Sequence, residues 1–377
     1  MVKRQESKAR IGLADLIFSL ILDIYKFSCY EEGARMKRIA AFGEIMLRLS
    51  PPKHERLLQS SSFMACFGGG EANAAVSLAL LGHGVRYISV IPPNEIGDAA
   101  VAELRRWGVE TGFILRQGKR LGLYFAEKGA NQRPSKIVYD REHSSIAEAR
   151  KGDIDWDAGL SGVEWFHTTG ITPALSSSAA ELTLEAVRKA KEKGLAVSLD
   201  LNFREKLWKY GKTAPEVMCE VAKFADVVIG NEEDYQRSLG LTAEADIKGG
   251  KLNLAVYEKL TADVLKMFLN INKLAITLRE SYSADHNSWS AILRTGEKFI
   301  VGSTYEITHI VDRIGAGDAF AAGLIHGLDL FGDDAKALEF AIAASCLKHS
   351  IPGDFNLVSE KEILALMHGH SSGRIQR

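Results

Sequence analysis

The sequence predicts an α/β fold in which helices cover a mostly parallel sheet. Three observations carry this reading. From Lys37 onward, short apolar runs alternate with helical patterns, the signature of strand–helix–strand units. Several apolar runs end in polar clusters, as strand ends do where they line a crevice. One stretch, 113–141, has no helical period and implies a small β-sheet projecting from the core.

Residues 1–35 read as an extension outside the fold. Their apolar run is interrupted by Asp15 and Asp23 and is too short to span a bilayer, and Phe27-Ser28-Cys29-Tyr30 makes a poor cleavage site. The first buried strand is expected at 39–43. Residues 44–49 alternate like an exposed antiparallel strand. Gly68, Gly69 and Gly70 then run through Glu71, Ala72 and Asn73 into a helix that Gly82 and Gly84 end. Three glycines allow a ligand to approach the backbone closely, and Glu71 and Asn73 add polar groups at the helix mouth. A buried strand follows at 85–91, and Gly97-Asp98 opens a helix through Leu104 that Gly108-Val109 closes. Leu121, Leu123, Phe125, Ile137 and Tyr139 sit in extended runs around a polar turn at 129–135. Further strands are predicted at 164–168, 195–201, 227–230 and 274–277, with a helix at 179–193 and a surface excursion around 248–251.

The chemistry concentrates at Gly315-Ala316-Gly317-Asp318. Two glycines separated by alanine let the backbone turn its N–H groups into one concavity, an anion nest. Phe320, Leu324 and Leu328 share one face of the helix that follows, with Gly332 as its stop. The nest therefore sits at a helix N-terminus, which favours phosphate. Asp318 projects from the first turn, and a cradle beside a carboxylate suits transfer of a phosphoryl group to a hydroxyl. At this level Asp318 also reads as a partner of the helix dipole. The strand-end clusters Asp200-Leu201-Asn202-Phe203-Arg204, Gly230-Asn231-Glu232-Glu233-Asp234 and Thr277-Leu278-Arg279-Glu280 should line one crevice with the nest.

Composition narrows the function class. Hydrophobic residues make up 46% and charged residues 25% of the 377, ordinary for a soluble globular protein, and the net charge of −1 argues against a broad nucleic-acid surface. Cys29, Cys66, Cys219 and Cys346 are scattered, which fits reduced thiols in the cytoplasm. His83, His143, His309 and His349 read as surface or hydrogen-bonded residues. There is no P-loop, no His-Glu-x-x-His motif and no Gly-x-Gly-x-x-Gly after the first strand.

The run from Asp312 to Gly323 resembles the C-terminal signature of the ribokinase (phosphofructokinase-B type) family, Asp-Thr-x-Gly-Ala-Gly-Asp-x-Phe-x-x-Gly, with Arg313 replacing threonine. The glycine element ending in Asn73 resembles that family's sugar-side signature. The resemblance covers nearly everything after Met36. It implies a three-layer α/β/α sandwich over 36–370, with lid segments near 44–66 and 112–142 and a tail at 371–377. It also implies sugar phosphorylation with ATP and Mg2+, without nucleic-acid or membrane partners, in a homo-oligomer paired through the lid or larger.

In that reading Asp318 is the base, and Gly315, Ala316 and Gly317 hold the transferred phosphoryl. Gly69, Gly70, Glu71, Ala72, Asn73, Tyr124, Arg141, Arg204 and Asp354 face the sugar. Asn202, Arg204, Asn231, Asp234, Thr277, Arg279, Gly315 and Gly317 face the nucleotide. No metal-ligand set is assigned, although Asp234 suits an outer-shell role toward hydrated magnesium. Arg204, which can grip a carboxylate or phosphates, together with Tyr124 and Asp354, resembles the branch acting on 2-keto-3-deoxygluconate at its terminal hydroxyl. A fructokinase or other sugar-acid kinase, and a non-catalytic sugar-binding regulator, are the alternatives. The family's Thr-x-Gly-x-x-Gly nucleotide loop is absent from 277–283, so Arg279 is expected to meet phosphate by direct charge.

Overall fold

The computed structural model describes residues 35–241 and 254–369. Cys29 and all but Arg35 of the expected extension, the excursion at 248–251 and the tail at 371–377 lie outside the described residues.

In chain order, β1 (Ile39–Phe42) enters the main sheet, while β2 (Met46–Ser50) and β3 (Met64–Gly68) belong to a second, smaller one. Helix α1 (Gly70–Leu80) returns the chain to β4 (Val85–Ile91), and α2 (Glu95–Arg106) leads to β5 (Ile114–Arg116). Strands β6 (Gly122–Glu127) and β7 (Lys136–Asp140) complete the small sheet in the order β3-β2-β6-β7. Short helices α3 (Ser145–Glu148) and α4 (Trp156–Gly159) precede β8 (Trp165–Thr169), α5 (Ser177–Glu192) and β9 (Ala196–Asp200). Next come α6 (Ala214–Ala222), β10 (Val227–Gly230), α7 (Glu232–Leu239), α8 (Leu254–Met267) and β11 (Lys273–Ser281). An antiparallel group, β12 (Asn287–Thr295), β13 (Phe299–Val301) and β14 (Tyr305–Ile307), is followed by α9 (Ala316–Leu330), α10 (Asp334–Lys348) and α11 (Glu360–Met367).

The main sheet runs β13-β12-β11-β10-β9-β8-β1-β4-β5, with β14 also on β12. Every pair from β11 through β10, β9, β8, β1 and β4 to β5 is parallel, so the expected mostly parallel sheet is present. One buried cluster packs α1, α2, α9 and α10 on one face of the sheet, and a second packs α3 to α8 on the other. Helices on both faces explain why β4 and β8 are buried at every position.

Four expectations need correction. Strand β2 is not exposed: Met46, Arg48 and Ser50 are buried beneath the small sheet, where a charged residue takes the inward register. Strand β5 lies within the predicted lid segment but pairs with β4 in the main sheet. Helix α2 starts at Glu95, because the Asn94 side chain caps it by accepting from Gly97 N–H. Residues 277–280 do not follow the end of a strand. They continue β11 to Ser281 because β12 pairs with it along its whole length.

Helix α9, which carries the nest, is held close against α10. A Cβ on Gly323 would lie 2.9 Å from Ala341 Cα, and one on Gly327 would lie 2.7 Å from Ala337 Cα. The last glycine of the signature thus has a packing reason. Gly327→Val should force the helices apart and lower stability by about 1–3 kcal/mol. Urea denaturation of the purified variant checks this; an unchanged midpoint would contradict the close packing.

Candidate active site

The strand-end segments and the nest do meet. Asp200, Asn202, Arg204, Asn231, Asp234, Thr277, Arg279 and residues 315–318 line one crevice of about 420 Å³. Tyr124, Tyr139 and Arg141 line it from the small sheet, and Gly69, Gly70, Asn73 and Asp354 complete it. The small sheet therefore stands over the crevice as a lid. A neighbouring cavity of about 490 Å³ shares Ile137, Arg279, Arg313 and Ile314 with it, so two ligands have room side by side.

The nest is built by conformation. Gly315 caps α9 in the left-handed region, with φ 87°, and no side chain caps the helix. A Cβ there would lie 2.0 Å from the Asp354 carbonyl oxygen, so only glycine fits. Ala316 N–H donates to the Arg313 carbonyl at 3.4 Å, while the N–H groups of Gly317 and Asp318, next in the first turn, have no acceptor within the helix and can meet an anion.

Asp318 is buried, and its Oδ2 accepts a 2.7 Å hydrogen bond from Asn73 Nδ2. Asn73 Oδ1 in turn accepts from Gly69 N–H, which joins the glycine element to the expected base. Gly70 keeps the space open: a Cβ there would stand 3.5 Å from Asp318 Oδ1 and 3.7 Å from Asn202 Nδ2. The helix dipole alone would keep Asp318 acidic. Burial outweighs it and pushes the carboxyl up to about 6, against the Asn73 hydrogen bond. Burial, with Asp234 and Asp318 nearby, also holds Asp200 well above the ordinary carboxylate range.

Two of the expected sugar-facing residues lie elsewhere. Ala72 is fully buried in the core. Glu71 sits beneath the crevice, accepting from Thr169 N–H, Thr169 Oγ1 and Thr172 Oγ1, and burial pushes it up to about 7. It fits because Gly43 has no side chain; a Cβ there would lie 2.0 Å from Glu71 Cδ.

The lid residues arrive already bonded. Tyr124 donates to Asp354 Oδ2, so these two expected sugar contacts form a pair. Arg141 is anchored by Nε and Nη2 on Glu44 Oε2, while Glu44 Oε1 accepts from Ser144. Arg48, absent from the sequence-based set, is buried between two carboxylates: Nη1 lies 2.8 Å from Asp354 Oδ1 and Nη2 lies 2.7 Å from Asp312 Oδ2. Its only sequence signal was a charge interrupting the apolar run from Ile45 to Leu49.

On the nucleotide side, both Asp234 oxygens accept backbone N–H groups, from Phe203 and from Asn231. Asp234 thus fastens two loops together. Arg204 donates to the Phe203 carbonyl and stays exposed at the crevice. Asn202 adopts φ 38°, and its buried Oδ1 has no hydrogen-bond partner among the described residues. Where the family's glycine loop is missing, Arg313 Nη2 donates to the Ala284 carbonyl at 2.6 Å and to that of Ser283. The lid tip meets the same turn: Ala284 N–H donates to the Asn131 carbonyl and Asn131 N–H to Asp285 Oδ2, both at 2.7 Å.

Comparison with known proteins fits this geometry. The profile of the pfkB family carbohydrate kinases matches residues 36–358. The crystal structure of a 2-dehydro-3-deoxygluconokinase from Thermotoga maritima superposes with a TM-score of 0.83 at 46% identity, covering 88% of this chain and 100% of that one. A 2-dehydro-3-deoxygalactonokinase of Haloferax volcanii is 30% identical over 335 residues, 89% of this chain and 98% of the relative. A 2-dehydro-3-deoxygluconokinase of Bacillus subtilis is 26% identical, over 86% of this chain and 93% of its own length. With nest, carboxylate, lid and sheet all in place across that matched span, the chain belongs to the pfkB family of carbohydrate kinases.

Proposed function

We propose that this enzyme transfers the terminal phosphoryl group of ATP to the terminal hydroxyl of 2-keto-3-deoxygluconate, giving the 6-phosphate. The observation that carries the reading is a crevice lined by the exposed Arg204, by Arg141 on the lid side and by the Asn73-bound Asp318. Cations suit the carboxylate of a sugar acid, and the buried carboxylate suits its hydroxyl. The 46% identical relative with that named activity supports the same substrate. The relative named for the galacto epimer keeps that epimer as the second reading.

In this mechanism the sugar hydroxyl enters beside Gly70 and gives its proton to Asp318. The first-turn N–H groups after Gly315 meet the charge on the phosphoryl oxygens. Arg279 and Arg313, on the wall shared by the two cavities, face the nucleotide's phosphates. Asp200 and the unpartnered Asn202 Oδ1 offer the hard oxygen groups that hydrated Mg2+ takes. When bound, the ion would neutralise phosphate charge. The lid excludes water, which otherwise competes for the phosphoryl group.

The lid also supports pairing of two copies. Its outward register carries Leu47, Leu49, Leu123 and Phe125, with Val138 opposite Phe125 and half exposed. Phe63 packs edge-on against Phe125 and is itself 41% exposed. An apolar face of this kind fits a second copy of the chain. The described residues contain no helix long and apolar enough to cross a membrane.

Five outcomes are expected. In a panel of 2-keto-3-deoxygluconate, its galacto epimer, fructose and ribose, the sugar acids should give the highest kcat/KM, and Arg204→Ala should raise sugar KM about tenfold while sparing ATP KM. Preference for fructose or ribose would refute the acid-sugar reading. Asp318→Asn should lower kcat by about 10²–10⁴-fold in a folded protein. Because the Asp318 carboxyl is held up near 6, wild-type kcat/KM should fall as pH drops through about 6 and this base becomes protonated. A flat acid profile would remove Asp318 as the base. Finally, sedimentation should show a dimer or larger assembly that Phe125→Asp dissociates; a monomeric wild type would end the pairing proposal.

A further inference from the structure

Lys348 closes helix α10 yet is 0% exposed, placing it among the largest fully buried side chains of the protein. A lysine at a helix end usually reaches water, where it complements the dipole at little cost. Buried as it is, this ammonium loses its hydration, and the dipole alone does not offset that loss. Its surroundings suggest another purpose. Nζ donates to the Ile351 carbonyl at 3.0 Å, which fixes its position. A Cβ built on Gly315 would lie 3.2 Å from Lys348 Cε, so the side chain passes directly behind the nest. One turn earlier, Ser345 Oγ donates to the Ala316 carbonyl at 2.7 Å, tying the same helix end to the nest backbone.

The charges around the crevice give this placement meaning. Asp200, Asp234, Asp318 and Asp354 all line it, and an incoming phosphoryl group adds further negative charge. Arg48 is engaged by Asp312 and Asp354, and Arg141 by Glu44. Lys348 lies behind the crevice lining. Asp312, Asp354 and Asp318 favour its charged form, while burial and Arg48 oppose it.

We propose that Lys348 is a positioning residue of the phosphoryl-transfer centre: a fixed ammonium behind Gly315 that keeps the nest attractive to phosphate and Asp318 in its proton-accepting form. The inference rests on the kinase reading and acts through the nest and Asp318, without contact to substrate. The groups acting on Asp318 are Asn73 from α1, Asp200 from β9, Arg204, Asp354 and Lys348.

The test compares Lys348→Met with wild type, using whichever acceptor the substrate panel identifies, so a wrong substrate assignment leaves the comparison intact. Methionine matches the stem and removes the charge. The variant should fold, with kcat about tenfold lower, sugar KM within twofold of wild type, and the acid limb of kcat/KM moved up by about half a pH unit or more. A folded variant with wild-type kcat, or with a lower kcat and an unmoved acid limb, overturns the proposal. If Lys348→Met does not fold, Lys348→Gln takes the same measurements. Failure of both to fold would make the charge a requirement of folding alone and would also overturn it.

Discussion

The site depends on one buried guanidinium. Arg48 rises from the lid strand β2 and divides its two terminal nitrogens between Asp312, just before the nest, and Asp354, on the C-terminal turn. Asp354 is held a second time by Tyr124 from β6, and Asp312 accepts from Ile314 and Gly353 N–H groups. Lid, nest and C-terminal turn therefore share one network. A charge buried this deeply is tolerated only while its partners stay in place, and loss of one partner typically costs about 3–5 kcal/mol. The network thus gives the lid a single seated position.

The nest and Asp318 were legible in the sequence because they are local. Gly315, Gly317 and Asp318 act within one helical turn, so spacing alone implies their geometry. Asn73 was legible as a polar group at a helix mouth, although its bond to Asp318 spans 245 positions. Arg48 was not legible, since Asp354 lies 306 positions away and nothing nearby marks the pair. Glu71 was misplaced for a related reason. A glutamate after three glycines suggests an open helix mouth, whereas Gly43, on a separate strand end, makes the room that buries it.

The nucleotide side shows how a missing motif is replaced. Without glycines, 277–283 cannot wrap phosphate through its own backbone, and most of it continues as strand β11 instead. The arginine that departs from the signature, Arg313, braces the turn beyond that strand through the Ser283 and Ala284 carbonyls. These two departures, read separately in the sequence, are parts of one arrangement. Neither was interpretable alone, because β12 and its turn had not been foreseen.

The lid tip has a consequence for turnover. Asn131, held in the left-handed region at φ 53°, exchanges two hydrogen bonds with Ala284 and Asp285 on the turn that Arg313 braces. The lid is therefore fastened far from its root as well as at Arg48. Lifting the lid would therefore break contacts at both places, which couples its opening to the turn beside the nucleotide wall.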